Sequence, residues 1–397
     1  MVDPDTGILY VLTEEANLVS LTDIKKDTET TNEISQNNIL RATTTLVADL
    51  GVGRPLGGAF VPKSARNKNK GNKDSKENNS VLYVADTLLG LIRVSNIQFP
   101  ISTASIPIVE LIHSSVVNKR TNERSRILYA NDVDIGPITG HVYFTDSTTI
   151  APERIRKNHN GDGSSWTFLW DTMMAYKRDY LRGEPTGRLL RYKPETNEID
   201  VLLDKLWFAN GVAVDENETF AMISETSQAR QIKFDLTSIQ ENDDEPASTP
   251  KHQIMVDGLP GFPDGATCAR TYFSKNKQKK LLCYVPMPSP ELPITKLLEK
   301  LSISTSLFLR NILLKLPDSM INMIKPISYG GVVEIDPSMT CTDSENKRNT
   351  TYQCWKRLLQ DPKGKDIGML TGAAVHDGKL YLGSLQNDYV ALYHLEE

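Results

Sequence analysis

The stretch "WFANGVAV", Trp207 to Val214, reads as a buried strand with Asn210 in its middle and Gly211 directly after it. An amide in apolar surroundings costs a few kcal/mol unless its donors and acceptors find partners. Either neighbouring backbone satisfies Asn210 or a ligand does. Two other polar groups interrupt strand-like runs. His376 lies in "VHDGKLYLGS", where Asp377-Gly378 forms the bend before a strand, so a structural turn is expected rather than a catalytic imidazole. Asp146 and Ser147 in "YFTDS" are expected to make polar contacts within a repeat, with a place lining a channel as the other reading. The chain contains no Gly-x-Ser-x-Gly elbow and no glycine-rich phosphate loop. Serine-hydrolase and phosphate-loop chemistry are therefore set aside.

The elements that must position these groups are short. Apolar runs bounded by Gly, Pro, Asn and Asp dominate, and helical periodicity is scarce, which indicates an all-β chain. One module recurs: a strand like "GVAV", a polar turn, a strand like "LYVAD", a short turn, and a strand like "LIRV". Six copies can be traced, from "DPDTGILYVLTEEANLVSL" to "TGAAVHDGKLYLGSLQNDYVALYHL". A repeated four-stranded unit must bury both faces against its neighbours, so the chain is expected to be a single six-bladed β-propeller over residues 1–397. Because the chain opens inside a turn, the first blade is expected to lack its inner side and the N-terminus to be incomplete. Insertions are expected at 151–186, aromatic and mixed in charge, and at 291–325, with Leu and Ile at helical spacing among lysines. The second reads as one or two amphipathic helices that cap the propeller or meet a membrane surface.

The composition bounds the partners. The chain has 397 residues, 24% of them charged, and a net charge of −5, which gives no reason to expect a nucleic-acid partner. The one basic run, Lys63 to Lys76, is diluted by Asn, Ser and Gly and reads as a solvated loop. No run of about 20 uncharged apolar residues is present. Sequons at Asn78, Asn217 and Asn349 are candidate glycosylation sites and favour a secretory route. None of the four cysteines forms a CxxC pair, so a zinc site is not expected. Cys341 and Cys354 bracket a 12-residue polar loop and are expected to form a disulfide, worth roughly 3 kcal/mol in the chain-entropy account. Cys268 and Cys283 fall on neighbouring strands of blade five and are either bonded or buried.

The motifs "GRPLG", "LYVAD", "NDVD", "VYFTDS", "PTGRLLRY", "FANGVAV", "LPGFPD" and "HDGKLYLGS" occur in an order that resembles the strictosidine synthase-like family. Within that family the chain looks most like the adipocyte plasma membrane-associated protein group. The resemblance runs from about residue 3 to the end and implies a six-bladed propeller. More distant relatives of this fold hold calcium in the central channel. By that resemblance the candidate metal ligands are Asn131, Asn210 and Asp264, each just before or within an inner strand. Calcium takes six to eight hard oxygens at about 2.3–2.6 Å, which amide and carboxylate oxygens suit. The first-blade glutamate of those relatives has no counterpart here, and Gly265 stands where relatives often have Asn. Asp264 would then be the only carboxylate of a weak site.

The synthase activity is not expected. Counting back from His376, the position of its glutamate falls on Thr371, which cannot serve as acid or base at neutral pH. Two functions remain. One is a metal-dependent hydrolase of small apolar or aromatic esters or lactones, of arylesterase type. The other is a non-catalytic binding propeller of the secretory route or cell surface. The resemblance implies the secretory pathway, the endoplasmic reticulum or the plasma membrane, with no anchor in this chain.

Overall fold

A computed structural model describes residues 1–26, 40–66, 79–100, 105–118, 122–158, 166–239, 251–272, 279–292, 295, 297–298, 301–339 and 355–395. Six antiparallel sheets follow one another along the chain, which makes a six-bladed propeller. Blades two to five each have four strands. Their inner strands are Pro55–Phe60, Ala130–Ile135, Ala209–Val214 and Thr267–Tyr272. Blade six has Leu370–His376, Lys379–Ser384 and Ala391–His394. Blade one has Leu9–Leu12, Asn17–Lys26 and Leu40–Asp49. The place of its inner strand holds only a bridge between Val2 and Leu9, so blade one is incomplete on its inner side, as expected.

The core lies between blades rather than within one sheet. Tyr83, Leu91 and Ala85 of blade two pack on Val133, Phe144 and Leu190 of blade three. Similar clusters join blades one and two, three and four, four and five, and five and six. A sheet apolar on both faces has no stable alternative to such stacking, because each fully buried Leu or Val contributes about 1.5–3 kcal/mol. Blades six and one meet where Gly7 approaches His376: a Cβ on Gly7 would lie 3.2 Å from the imidazole Nε2. The imidazole thus sits at a blade junction.

Cys268 and Cys283 face each other across neighbouring strands of blade five and are joined as a disulfide. The pair Cys341–Cys354 lies outside the described residues, as do the sequons at Asn78 and Asn349. Asn217 is exposed, in the turn after the inner strand of blade four. Of the basic run, Lys63–Arg66 form a single helical turn, α1.

Both insertions leave from the same connection, the one between the second and third strands of a blade. In blade three it carries the hairpin Glu153–Asn158/Trp166–Asp171 and helix α2, Thr172–Arg182. In blade five it carries helices α3, Ile303–Leu314, and α4, Asp318–Ile321. Inner strands begin, and second strands end, at the same end of the channel. An insertion at this connection must therefore emerge over that mouth. Helix α2 is stopped at both ends by local chemistry. The Asp171 carboxylate accepts from Met174 N at 2.8 Å, and Gly183 takes φ 66° at the C-cap. Leu313, Leu314 and Leu316 pack on Met174 and Leu181 of α2 and on Ile321. The described helices of the 291–325 segment thus pack on α2.

Candidate functional site

Blades three and four open with the same irregularity. The pairing of inner and second strands slips between Ala130 and Val133, and again between Ala209 and Val212. Asn131 and Asn210 occupy the same place in these two bulges. Asn131 Nδ2 donates to Ser147 Oγ at 2.9 Å, and Asn210 Nδ2 donates to Thr226 Oγ1 at 3.1 Å. Each hydroxyl then donates to the next blade, Ser147 to Ala209 O at 2.5 Å and Thr226 to Pro263 O at 2.7 Å. Asp264, just before the inner strand of blade five, continues the series, and its backbone carbonyl accepts from Gly211 N at 2.8 Å. Leu56 in blade two and Thr371 in blade six hold the matching places.

The opening question about Asn210 has a divided answer. Its amide nitrogen is held within the blades, but its Oδ1 is buried and has no partner among the described residues. The same side chain lies close enough to the Asp264 carboxyl to favour its ionised form. Burial pushes the Asp264 carboxyl up to about 8; the charge of Asp132 adds to this and the Asn210 amide opposes it. Asn131, Asn210 and Asp264 thus lie in register at one end of the channel. The structure sets Asn210 beside Asp264, whereas Asn131 is tied to Ser147.

Asp132 changes the expected charge balance, because Asp264 is not the only carboxylate at this level. Asp132 Oδ2 accepts from Val212 N at 3.1 Å, and backbone bonds from Val133 and Ala266 also reach it. Burial pushes it up to about 7 despite those bonds. One turn of the pleat further, Asp134 Oδ2 accepts from Val214 N at 2.8 Å, and burial pushes that carboxyl up to about 6. Blade three therefore reaches its neighbour with carboxylates that lace the inner strand of blade four. From "NDVD" the expected ligand is Asn131, and Asp132 beside it is not among the expected residues. The signal lay in the alignment of bulges: Asp132 stands where blade four has Gly211.

A second repeat also escaped the sequence reading. An aromatic residue stands two places before each member of the series: Tyr129 before Asn131, Phe208 before Asn210 and Phe262 before Asp264. These rings form a layer over the channel mouth, with α2 laid across it. Tyr129 and Phe208 meet at 5.3 Å between centroids, Tyr176 and Phe208 at 4.9 Å, and Tyr180 and Phe262 at 6.4 Å. Phe208 is in the left-handed region at φ 53°, a conformation that costs a non-glycine residue about 1–2 kcal/mol. Packing on Tyr129 and Tyr176 offsets that strain. Tyr129 also ties blade to lid, its hydroxyl donating to Thr172 O at 3.1 Å.

Asp146 makes repeat-internal contacts, whereas Ser147 accepts from Asn131 in its own blade and donates to Ala209 O of the next. Asp146 Oδ1 accepts from Tyr129 N at 2.9 Å, and its Oδ2 pairs with Arg188. Thr371 offers only a hydroxyl where the synthase chemistry would need an acid, and its carbonyl accepts from Gly265 N.

The donors present fit a hard cation. An idle amide oxygen and a carboxylate kept from ionising by burial are both groups that a divalent ion would satisfy. Among the described residues, no three His, Cys, Asp or Glu side chains cluster as a metal site.

Residues 163–238 match the strictosidine synthase family profile. The chain is 32% identical over 214 residues to strictosidine synthase-like protein 2 of Arabidopsis thaliana, covering 53% of this chain and 42% of that protein. It is 25% identical to the adipocyte plasma membrane-associated protein of Salmo salar, over 80% of this chain and 62% of the relative. For the Homo sapiens counterpart the figures are 26%, 80% and 61%. The chain thus spans about two fifths to three fifths of the length of these curated relatives. Among solved structures, a luciferin-regenerating enzyme aligns with TM-score 0.45 and 12% identity over 98% of this chain and 83% of its own. A calcium-binding protein, regucalcin, from Agrobacterium tumefaciens aligns with TM-score 0.35 and 12% identity, over 73% of this chain and 74% of its own. The six sheets, not these likenesses, carry the fold assignment. Among the described residues no helix is long and apolar enough to cross a membrane. The matched segment and the curated relatives bear out the resemblance read from the motifs: the chain is similar to strictosidine synthase-like proteins and to adipocyte plasma membrane-associated proteins, on a six-bladed propeller.

Proposed function

We propose that the channel end beneath α2 is the site of a metal-assisted hydrolase acting on small apolar or aromatic esters or lactones. The buried, unpartnered Oδ1 of Asn210 beside the Asp264 carboxyl, under a layer of aromatic rings, is the observation that carries this reading. Asn131, Asn210 and Asp264 would hold calcium through side-chain oxygens. When bound, the cation supplies Lewis-acid polarisation of a carbonyl oxygen. Asp132 holds blades four and five in register beneath this ring through Val212 N and Ala266 N. Tyr129, Phe208, Tyr176 and Phe262 supply apolar faces against which an aromatic or alkyl group can lie, and they keep bulk water from the carbonyl.

The relatives named for the plasma membrane suggest the same placement for this chain, on the secretory route or at a membrane, and the exposed Asn217 would be an accessible glycosylation site there.

A second reading rests on the satisfied amide nitrogens. With Asn131 bound to Ser147 and Asn210 to Thr226, both side chains also serve as pegs between blades, which a non-catalytic binding propeller would equally need. Phenyl acetate turnover separates the two. The hydrolase predicts turnover that a calcium chelator removes, added calcium restores and Asp264→Asn abolishes. Turnover that is absent, or indifferent to both chelator and Asp264, leaves the binding module.

A further inference from the structure

We infer that the lid side of the propeller is a membrane-docking face, and that its occupant is the surface of an anionic phospholipid bilayer. Two separate insertions build it, and α2 joins them. One Arg178 nitrogen pairs with Glu153 of the hairpin, while another bonds both carboxylate oxygens of Asp318 in α4 at 2.8 Å. A single guanidinium thus fixes hairpin and helices to one support and neutralises a carboxylate on each.

Both parts leave large apolar groups in solvent. In the helical insertion Phe308 is 64% exposed and Met323 78%, with Ile312 and Met320 beside them. On the hairpin Phe168 is 54% exposed and Trp166 44%. Their neighbours on α3, Leu313 and Leu314, already fill the lid core, so the exposed set forms a second apolar face turned to solvent. Cations accompany it. The Arg154 and Arg156 guanidinium groups each lie 4.1 Å over the Phe168 and Trp166 rings. Lys315 and Lys325 are exposed, and Lys325 stands near enough to Lys177 for the like charges to depress the latter's proton affinity, after burial.

Charge decides between occupants. The chain as a whole carries −5, yet the groups set among these apolar side chains are mostly cationic. A second copy docking by the same face would bring lysines and arginines against themselves, as a two-fold contact must. An anionic bilayer instead offers headgroup phosphates and carboxylates to the cations. It also offers an acyl boundary about 5–10 Å deep to Phe, Trp, Met and Ile. Arginines stacked on exposed rings suit that boundary, since the ring enters the apolar layer while the guanidinium stays with the headgroups. Such docking turns the channel mouth toward the lipid, the phase in which apolar esters concentrate. It requires no hydrolysis, so its test is independent of the catalytic reading.

The experiment is sedimentation of the full chain with vesicles of phosphatidylcholine alone and of mixed phosphatidylcholine and phosphatidylserine. The variants are Phe308→Ser/Met323→Ser in the helical insertion and Trp166→Ala/Phe168→Ala on the hairpin, with thermal melting and light scattering alongside. The expected result is binding to the mixed vesicles, weakened by salt. Each pair of substitutions should lower the partition coefficient on the order of tenfold while the melting temperature stays unchanged. Failure to bind mixed vesicles would overturn the inference. So would full binding by the hairpin variant, because the face is then not shared. A dimer of the unaltered chain that both variants dissolve would assign the face to a second copy instead.

Discussion

Blades three and four begin alike and part most sharply at the residue after the asparagine. Each places an asparagine in a bulge and hands its amide nitrogen to a hydroxyl just past the end of the second strand. Blade three follows its asparagine with Asp132, and blade four with Gly211. Asp132 reaches outward and holds the backbone of the next two blades. Gly211 does the reverse and lets blade five close in, so that a Cβ there would stand 2.4–2.5 Å from atoms of Asp264, Gly265 and Ala266. The same bulge is a strut in one blade and a point of contact in the other. Asp264 reaches the side of Asn210 because nothing larger than hydrogen occupies position 211.

Gly211→Ala should break the comparison most severely. The clash is with backbone, which cannot swing aside, so a loss of about 3 kcal/mol or failure to fold is expected in denaturant melts. A loss below about 1 kcal/mol would mean that blades four and five separate easily. Asp264→Asn should remove the one carboxyl of the proposed ligand set, and calorimetry should then show no calcium binding. Unchanged affinity would move the cation elsewhere. Asp132→Ala should cost about 1–3 kcal/mol, because it strands buried backbone donors of blades four and five. An unaltered melt would show that water replaces it as the strut.

The two asparagines sharpen the comparison further. Asn131→Ala and Asn210→Ala each delete one hydrogen bond to a hydroxyl, so stability should fall by only about 1 kcal/mol in both. Turnover should fall far more than that small stability loss explains. If Asn210→Ala leaves turnover intact, the idle Oδ1 has no catalytic use.

The smallest effect is expected at the rim of blade five, where a carboxylate behaves opposite to those in the channel. Asp336 is held below its ordinary value: partial burial opposes this, but the Lys280 pair and the Ser338 bonds outweigh it. A carboxylate depressed on folding adds stability above its unfolded value of 3.8 and loses it as pH falls through the folded value. Asp336→Asn should therefore be less stable than the unaltered chain at neutral pH, and the gap should close below about pH 4. A gap that persists in acid would show that packing, not charge, was lost.

Much of this was legible along the chain. Period-two runs and a recurring module specify six sheets, because a two-faced apolar strand set has to stack. Asn131, Asn210 and Asp264 fall at matching places of their repeats, so their alignment at one end of the channel follows from repetition. Leu and Ile spacing marked the helical insertion. The aromatic-x-Asn/Asp repeat of Tyr129, Phe208 and Phe262 was equally present and went unread, since single aromatic residues beside strands are common in any β core.

What the sequence by itself determined was the blade count and the residue types at the channel end, all of them local or periodic properties. Only the tertiary structure decided which atoms meet. Asp132 finds Val212 and Ala266, α2 crosses Phe208 and Phe262, and Arg178 ties two insertions that lie 140 residues apart at Asp318. Such contacts depend on how neighbouring blades close around the axis. That closure is set by packing between sheets at distances that no periodicity along the chain encodes.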